Sequence, residues 1–346
     1  MKIKIPSTMK TFFGLIIVSA FVLTACQPAV APTSAVVAPT TAAAAPTTAA
    51  AAPATVAPAQ PKTYKILAVE KTLINQYWQT MKDGYDFAAK RYGVSIDVVT
   101  VPTEADTAGQ LAAVETALTK GYDAVCVSPL TPDNLNPALA DATKKGTPLI
   151  NVDELIPDQV AKDAGITFAT KIASNNYYAG VLAGQYMLSK LPAGSEVAVV
   201  EGLAGNSSGQ ARHDGFVATV KAGGFKVDAS QPADWDRAKA NTVTTNILQA
   251  NPNVKGIYFC NDTMALGGME SVAAAGLTGK IILIGTDAID EALQAVKDGK
   301  LDATVAQFPY EEAVLCVENA IKVLEGRPIS PTIDAPIKLM LKADIK

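Results

Sequence analysis

The chain has 346 residues, 49% of them hydrophobic and 18% charged, with a formal net charge of −4. An acidic balance with no dense Lys/Arg run argues against nucleic acid and anionic membrane surfaces as partners. A single histidine, His213, rules out a His-rich metal site, and no Ser or Cys motif beside it suggests a hydrolase.

The leader comes first. Lys2, Lys4 and Lys10 precede an uncharged apolar run over residues 12–23, and Leu23-Thr-Ala-Cys26 closes it with small residues before a cysteine. That order marks a secretory signal peptide over residues 1–25, whose apolar run is too short for a membrane span. The closing tetrapeptide resembles the bacterial lipoprotein lipobox, which implies lipidation of Cys26 and anchoring of the mature chain to the membrane. Residues 27–61 hold 15 Ala, 6 Thr and 7 Pro and no charge. Such a tract buries too little apolar surface to offset its ordering entropy, and its prolines break any helix. It reads as a semi-extended tether.

Removing the first 61 of 346 residues leaves 285, enough for two domains with cores of their own. Short apolar runs at 64–69, 95–101, 124–128, 148–151 and 167–170 alternate with helical stretches at 76–92, 107–120 and 133–145. A second round has strands at 196–201, 226–230, 256–260, 281–285 and 304–306. Its helices span 176–189, 208–222, 236–251, 262–275 and 289–298. A last helix, 311–325, and a tail strand, 337–341, follow. Strands apolar throughout and joined by helices indicate parallel sheets covered on both faces, hence an α/β fold of two similar lobes. Of the four cysteines, Cys26 belongs to the leader. The three that remain suggest no disulfide framework, and Cys126 and Cys260 read as inert thiols inside strands.

In parallel α/β sheets ligands bind past the carboxyl ends of the strands. The loop after 64–69 carries Lys71, Asn75, Tyr77 and Trp78. Amide and ammonium donors suit hydroxyls and aromatic faces suit C–H surfaces, as on a sugar; the same aromatics could only staple the helix to the core. Asp153 and Glu154 follow 148–151, and Trp235 follows 226–230. Asn261 and Asp262 follow 256–260, with Asp262 a good helix N-cap. Asp287 follows 281–285 and could also cap a helix. The glycine-rich Gly202-Leu-Ala-Gly-Asn-Ser-Ser-Gly209 lacks the ending of a phosphate loop, and Arg212 lies just beyond it. Charged groups, amides and aromatics in one cleft without a nucleophile–base pair suit binding, not catalysis or a cofactor.

Lys71-Thr-Leu-Ile-Asn-Gln-Tyr-Trp78, Glu201-Gly-Leu-Ala-Gly-Asn-Ser-Ser-Gly209, Ala229-Ser-Gln-Pro-Ala-Asp-Trp-Asp-Arg237, Cys260-Asn-Asp-Thr-Met-Ala-Leu-Gly267 and Ala303-Thr-Val-Ala-Gln307 resemble the ribose/allose branch of the periplasmic sugar-binding proteins. The resemblance covers nearly all of residues 62–346. It implies two Rossmann-like lobes, 62–174 plus 308–335 and 175–307 plus 336–346, joined by hinge crossovers near Asn175, Gln307 and Pro336. It implies sugar contacts from Lys71, Asn75, Tyr77, Trp78, Asp153 and Glu154 on one side and from Arg212, Trp235, Asn261 and Asp287 on the other, with Gln307 at a hinge. Trp78 and Trp235 would sandwich a pyranose ring. Lys71 stands where ribose binders have serine, Glu154 where they have arginine, Gln76 for a proline and Ser128 for an asparagine. These departures argue against plain ribose specificity, and the Lys71–Glu154 pair is expected to recognise the hydroxyls of a six-carbon ring.

The expected function is therefore a monomeric, lipid-anchored extracytoplasmic subunit that hands a monosaccharide to an ABC permease. An allose-like aldohexose is favoured, with ribose, another pentose or inositol as alternatives. A receptor role toward a sensor kinase or chemoreceptor shares the same fold. A lactose-repressor-like regulator would carry a helix-turn-helix headpiece where this chain has a lipobox and tether.

Overall fold

The computed structural model describes residues 63–346, so Cys26, the leader and the tether lie outside the described residues. The first stretch of chain runs β1 (Lys65–Val69), α1 (Gln76–Tyr92), β2 (Ser95–Val99), α2 (Thr107–Leu118), β3 (Ala124–Val127), α3 (Asn136–Lys144), β4 (Leu149–Val152), α4 (Asp158–Ala164) and β5 (Phe168–Ser174). The second runs α5 (Asn176–Lys190), β6 (Glu196–Glu201), α6 (Ser207–Ala222), β7 (Lys226–Pro232), α7 (Arg237–Ala250), β8 (Val254–Phe259), α8 (Asp262–Ala274), β9 (Ile282–Asp287), α9 (Asp290–Asp298) and β10 (Ala303–Ala306). Then α10 (Pro309–Leu324), β11 (Thr332–Ala335), β12 (Lys338–Met340) and a 3-10 turn, Lys342–Asp344, close the chain.

These strands form two six-stranded sheets, ordered β11-β5-β4-β3-β1-β2 and β12-β10-β9-β8-β6-β7. All pairings are parallel except that of β12 with β10. Strand β1 shows why. Its residues alternate between two cores: Ile66 and Ala68 pack with the side chains of α1 and α10, Leu67 and Val69 with those of α2 and α3. A strand buried on both faces must be apolar at every position, and it needs helices on both sides. The chain passes between the sheets three times: from β5 to α5, from β10 to α10 and from β11 to β12. Each sheet thus gains its sixth strand from the chain's last segment.

Cys126 on β3 and Cys316 on α10 form a disulfide, which corrects the reading of Cys126 as an inert thiol. The partners lie 190 residues apart, and only the return of α10 to the first sheet brings them together. Cys260 is a free, buried cysteine.

Candidate functional site

The strand order reverses between β1 and β3 in the first sheet and between β6 and β8 in the second. Crevices open at such switch points, outside the carboxyl ends of the strands. Between the lobes lies a cavity at these strand ends.

Ten of the expected ligand residues line it: Lys71, Asn75, Tyr77, Trp78 and Asp153 from the first lobe, Arg212, Trp235, Asn261 and Asp287 from the second, and Gln307 just past β10. Glu154 does not line it. Its carboxylate is fully buried and turned toward Ser207 and Ser208 at the start of α6. Glu104 and Ser208 line the cavity although the sequence reading did not select them. Glu104 follows β2, so the rule that ligands gather past strand ends could have found it. Ser208 sits inside the glycine-rich stretch that carries part of the family resemblance, but no sugar contact is assigned to it there.

The first wall is cross-linked within itself. Tyr77 donates its hydroxyl to Asp153 Oδ1 at 2.7 Å, and Ser128 reaches Asp153 Oδ2 at 3.4 Å. Lys71 Nζ lies 3.3 Å from Glu154 and 3.9 Å from Asp153, and 5.3 Å from the centre of the Trp78 ring. Trp78 Nε1 donates to Glu104 at 3.1 Å. Burial pulls the Lys71 pKa down, but Glu154, then Asp153 and Glu104, outweigh it, and the ammonium stays charged. Burial raises the Asp153 pKa against the pull of Lys71.

The second wall hangs on α6. Glycines let α6 approach α5: a Cβ at Gly180 would stand 2.0 Å from the Arg212 carbonyl oxygen, and one at Gly215 2.0 Å from that of Tyr177. Arg212 is held by its own bonds to the Cys260 carbonyl at 2.7 Å and to Asn176 at 2.8 Å. Its Nη1 lies 3.6 Å from Asp287 Oδ1, which also accepts from Gln307 Nε2 at 2.7 Å. Burial holds the Asp287 carboxyl well above the ordinary range although Arg212 opposes it. Two buried atoms of this wall, Gln307 Oε1 and Trp235 Nε1, have no hydrogen-bond partner among the described residues.

Backbone strain gathers in the same place. Asp153, Trp235 and Asp287 have φ of 60°, 63° and 125°. Non-glycine residues there cost on the order of 1–3 kcal/mol each and persist where the surroundings hold them. Helix caps also point to the cleft. Asn75 and Asn261 cap α1 and α8 through their side-chain oxygens. Asn261 therefore does what was expected of Asp262. Asp262 instead accepts from Thr304 at 2.7 Å and from the Ile289 amide at 3.0 Å, bracing the loop that carries Asp287. Asp287 is not a cap; that position before α9 is Ile289.

Two α/β lobes enclosing a polar, charge-compensated cavity define a solute-binding protein. The periplasmic binding protein domain model matches residues 67–328. The chain is 43% identical over 270 residues to the D-allose-binding periplasmic protein of Escherichia coli K12, covering 78% of this chain and 87% of that one. It is 34% identical over 277 residues to the ribose import binding protein RbsB of the same organism, covering 80% and 90%. The solved structure of an ABC transporter periplasmic solute binding protein from Actinobacillus succinogenes 130z, with bound D-allose, aligns with a TM-score of 0.77 at 31% identity, covering 82% of this chain and 99% of that one. The chain belongs to the periplasmic binding protein family.

Proposed function

We propose that this chain is the extracytoplasmic sugar-binding subunit of an ABC importer and takes one monosaccharide, an allose-like aldohexose, between its lobes. The observation that carries the reading is the composition of the cavity wall. Cations, carboxylates, amides and two tryptophans converge from both lobes, and among the described residues Gln307 Oε1 and Trp235 Nε1 have no hydrogen-bond partner. Sugar hydroxyls both donate and accept, so they can pair with every group of that wall. Trp78 and Trp235 supply apolar faces for the ring.

The lobes turn about the crossovers at Asn175, Gln307 and Pro336. A sugar resting on one wall gains the other wall's bonds only when the cleft shuts, so binding favours the closed state. The permease then recognises that state. Lys62–Ser174 with residues 308–335 act as one lobe and residues 175–307 with 336–346 as the other. A lipid on Cys26 tethers the monomeric domain to the membrane; among the described residues no helix is long and apolar enough to cross it.

A thermal-shift panel on the full chain tests the reading. D-allose at about a hundred times its Kd adds roughly 2.7 kcal/mol of stability. If D-allose, D-ribose, the other aldohexoses and myo-inositol all leave the melting curve unmoved, the assignment is wrong.

A further inference from the structure

The lobes also touch each other directly, outside the cavity. Glu154, on the loop after β4, accepts from the Ser207 amide at 2.7 Å and the Ser208 hydroxyl at 2.8 Å, and the Ser207 hydroxyl donates to it too. Lys71 Nζ, at 3.3 Å, supplies the countercharge from its own lobe. Alongside, Ser207 Oγ lies 3.1 Å from the Leu155 carbonyl oxygen, and Asn206 Nδ2 donates to the Leu130 carbonyl at 3.3 Å. A second clasp lies elsewhere on the rim. Gln76 Nε2 donates to Asp290 Oδ2 at 2.7 Å, and the Asp290 amide donates back to Gln76 Oε1 at 3.1 Å.

Both clasps follow one rule. The first amides of a helix have no partner inside it, and the helix start favours negative charge. Here the Ser207 amide of α6 and the Asp290 amide of α9 receive acceptors from the first lobe, while Asn206 caps the Gly209 amide of α6 from within its own lobe. Those bonds exist only while the lobes meet, and none of them involves a ligand. Glu154 is also screened from the cavity, because Lys71 and Ser208 line it and Glu154 does not.

We propose that Glu154 is a closure latch, a positioning residue that sets how long any ligand is held without choosing among ligands. The inference rests on the reading that a sugar binds as the lobes close. When the closed state is only partly populated, apparent affinity falls by that fraction for every ligand alike. A residue touching the sugar would instead change the ranking of sugars. Glu154 thus leaves the role of ring selector expected from the sequence, and Lys71 alone of that pair faces the cavity.

The test uses the full chain with D-allose and D-ribose. Ser207→Ala is the cleanest variant, since it removes one donor and leaves the Lys71–Glu154 pair intact. It should weaken both sugars by the same factor, about 3–10-fold, and Glu154→Gln by about 10–100-fold, as for bonds to a charged acceptor. Gln76→Ala, at the exposed clasp, should act in the same direction and less. Stopped-flow tryptophan fluorescence should place the loss in the release rate. Small-angle scattering of the sugar-free protein should show each variant more open than wild type. A changed allose-to-ribose ratio, or wild-type affinity in Ser207→Ala and Glu154→Gln together, overturns the latch. If wild type binds neither sugar, the functional reading falls, and unchanged sugar-free scattering across the variants then overturns the latch separately.

Discussion

The two walls of the cleft are built differently. On the first, Tyr77, Asp153, Lys71, Trp78 and Glu104 hold one another, so the wall is assembled before any ligand arrives. On the second, Arg212 is fixed from behind by Cys260 and Asn176, while Gln307 and Trp235 keep polar atoms without partners among the described residues. The difference teaches that the first wall is a rigid platform and the second the one that a ligand completes. Substitutions in the first lobe should then cost stability without sugar, and those in the second wall should chiefly cost affinity.

Arg212→Met should break the second wall most. It leaves Asp287 buried without its cation, and removing one partner of such a pair costs about 2–5 kcal/mol. Calorimetry should show sugar affinity lower by roughly 30- to several-thousand-fold. A loss below threefold would mean that Arg212 does not reach the ligand.

The disulfide probes the platform. Among the described residues it belongs to the first lobe, tying β3 to α10. Cys316→Ser should lower stability by about 2–5 kcal/mol in chemical denaturation. Proteolysis should then cut first-lobe segments before second-lobe ones. Equal cutting in both would contradict a lobe-local staple.

Part of the pH dependence of stability should map to the first lobe, beside the raised carboxyls of Asp262 and Asp287 in the second. Burial pushes the carboxyls of Glu70 and Glu312 up to about 8, from an ordinary value of 4.5. Glu70 has both oxygens without partners among the described residues, and Glu312 has one. The native state holds protons that the unfolded chain releases near 4.5, so these groups stabilise below that pH. Their contribution is lost as pH rises toward about 8. Glu70→Gln should flatten the decline; an unchanged slope would show that Glu70 ionises freely in the native state.

The stacking term is the smallest. Trp235→Ala should weaken sugar binding by about 1 kcal/mol beyond the area it buries. Both tryptophans are core residues, so both variants lose sugar-free stability. Trp78→Ala also removes the bond to Glu104 and should lose more. An equal loss in the two would erase the contrast between the walls.

Much of this was legible in the sequence. Strand–helix alternation located nearly every element, and α1 and β6 fall at the expected bounds, Gln76–Tyr92 and Glu196–Glu201. Residues past strand ends were brought into one cavity because parallel sheets put all those ends on one side. What escaped is physical in each case. The short helix α4, Asp-Gln-Val-Ala-Lys-Asp-Ala, buries one residue, Ala161, and so has almost no apolar stripe. Strand β11 has four residues at a sheet edge, where apolarity is not required. The Cys126–Cys316 bond depends on tertiary return. The sequence does not tell which way Glu154 faces, because a loop carboxylate beside Asp153 looks the same whether it meets a ligand or another lobe.

The claim that the two walls meet around one sugar is tested most directly by titrating the full chain with D-allose in a calorimeter while following tryptophan fluorescence. The two tryptophans of the chain, Trp78 and Trp235, both line the cavity. The account predicts saturable heat with one sugar per chain and a fluorescence change that saturates with it. Saturable heat with no fluorescence change would place the sugar outside this cavity and contradict the account.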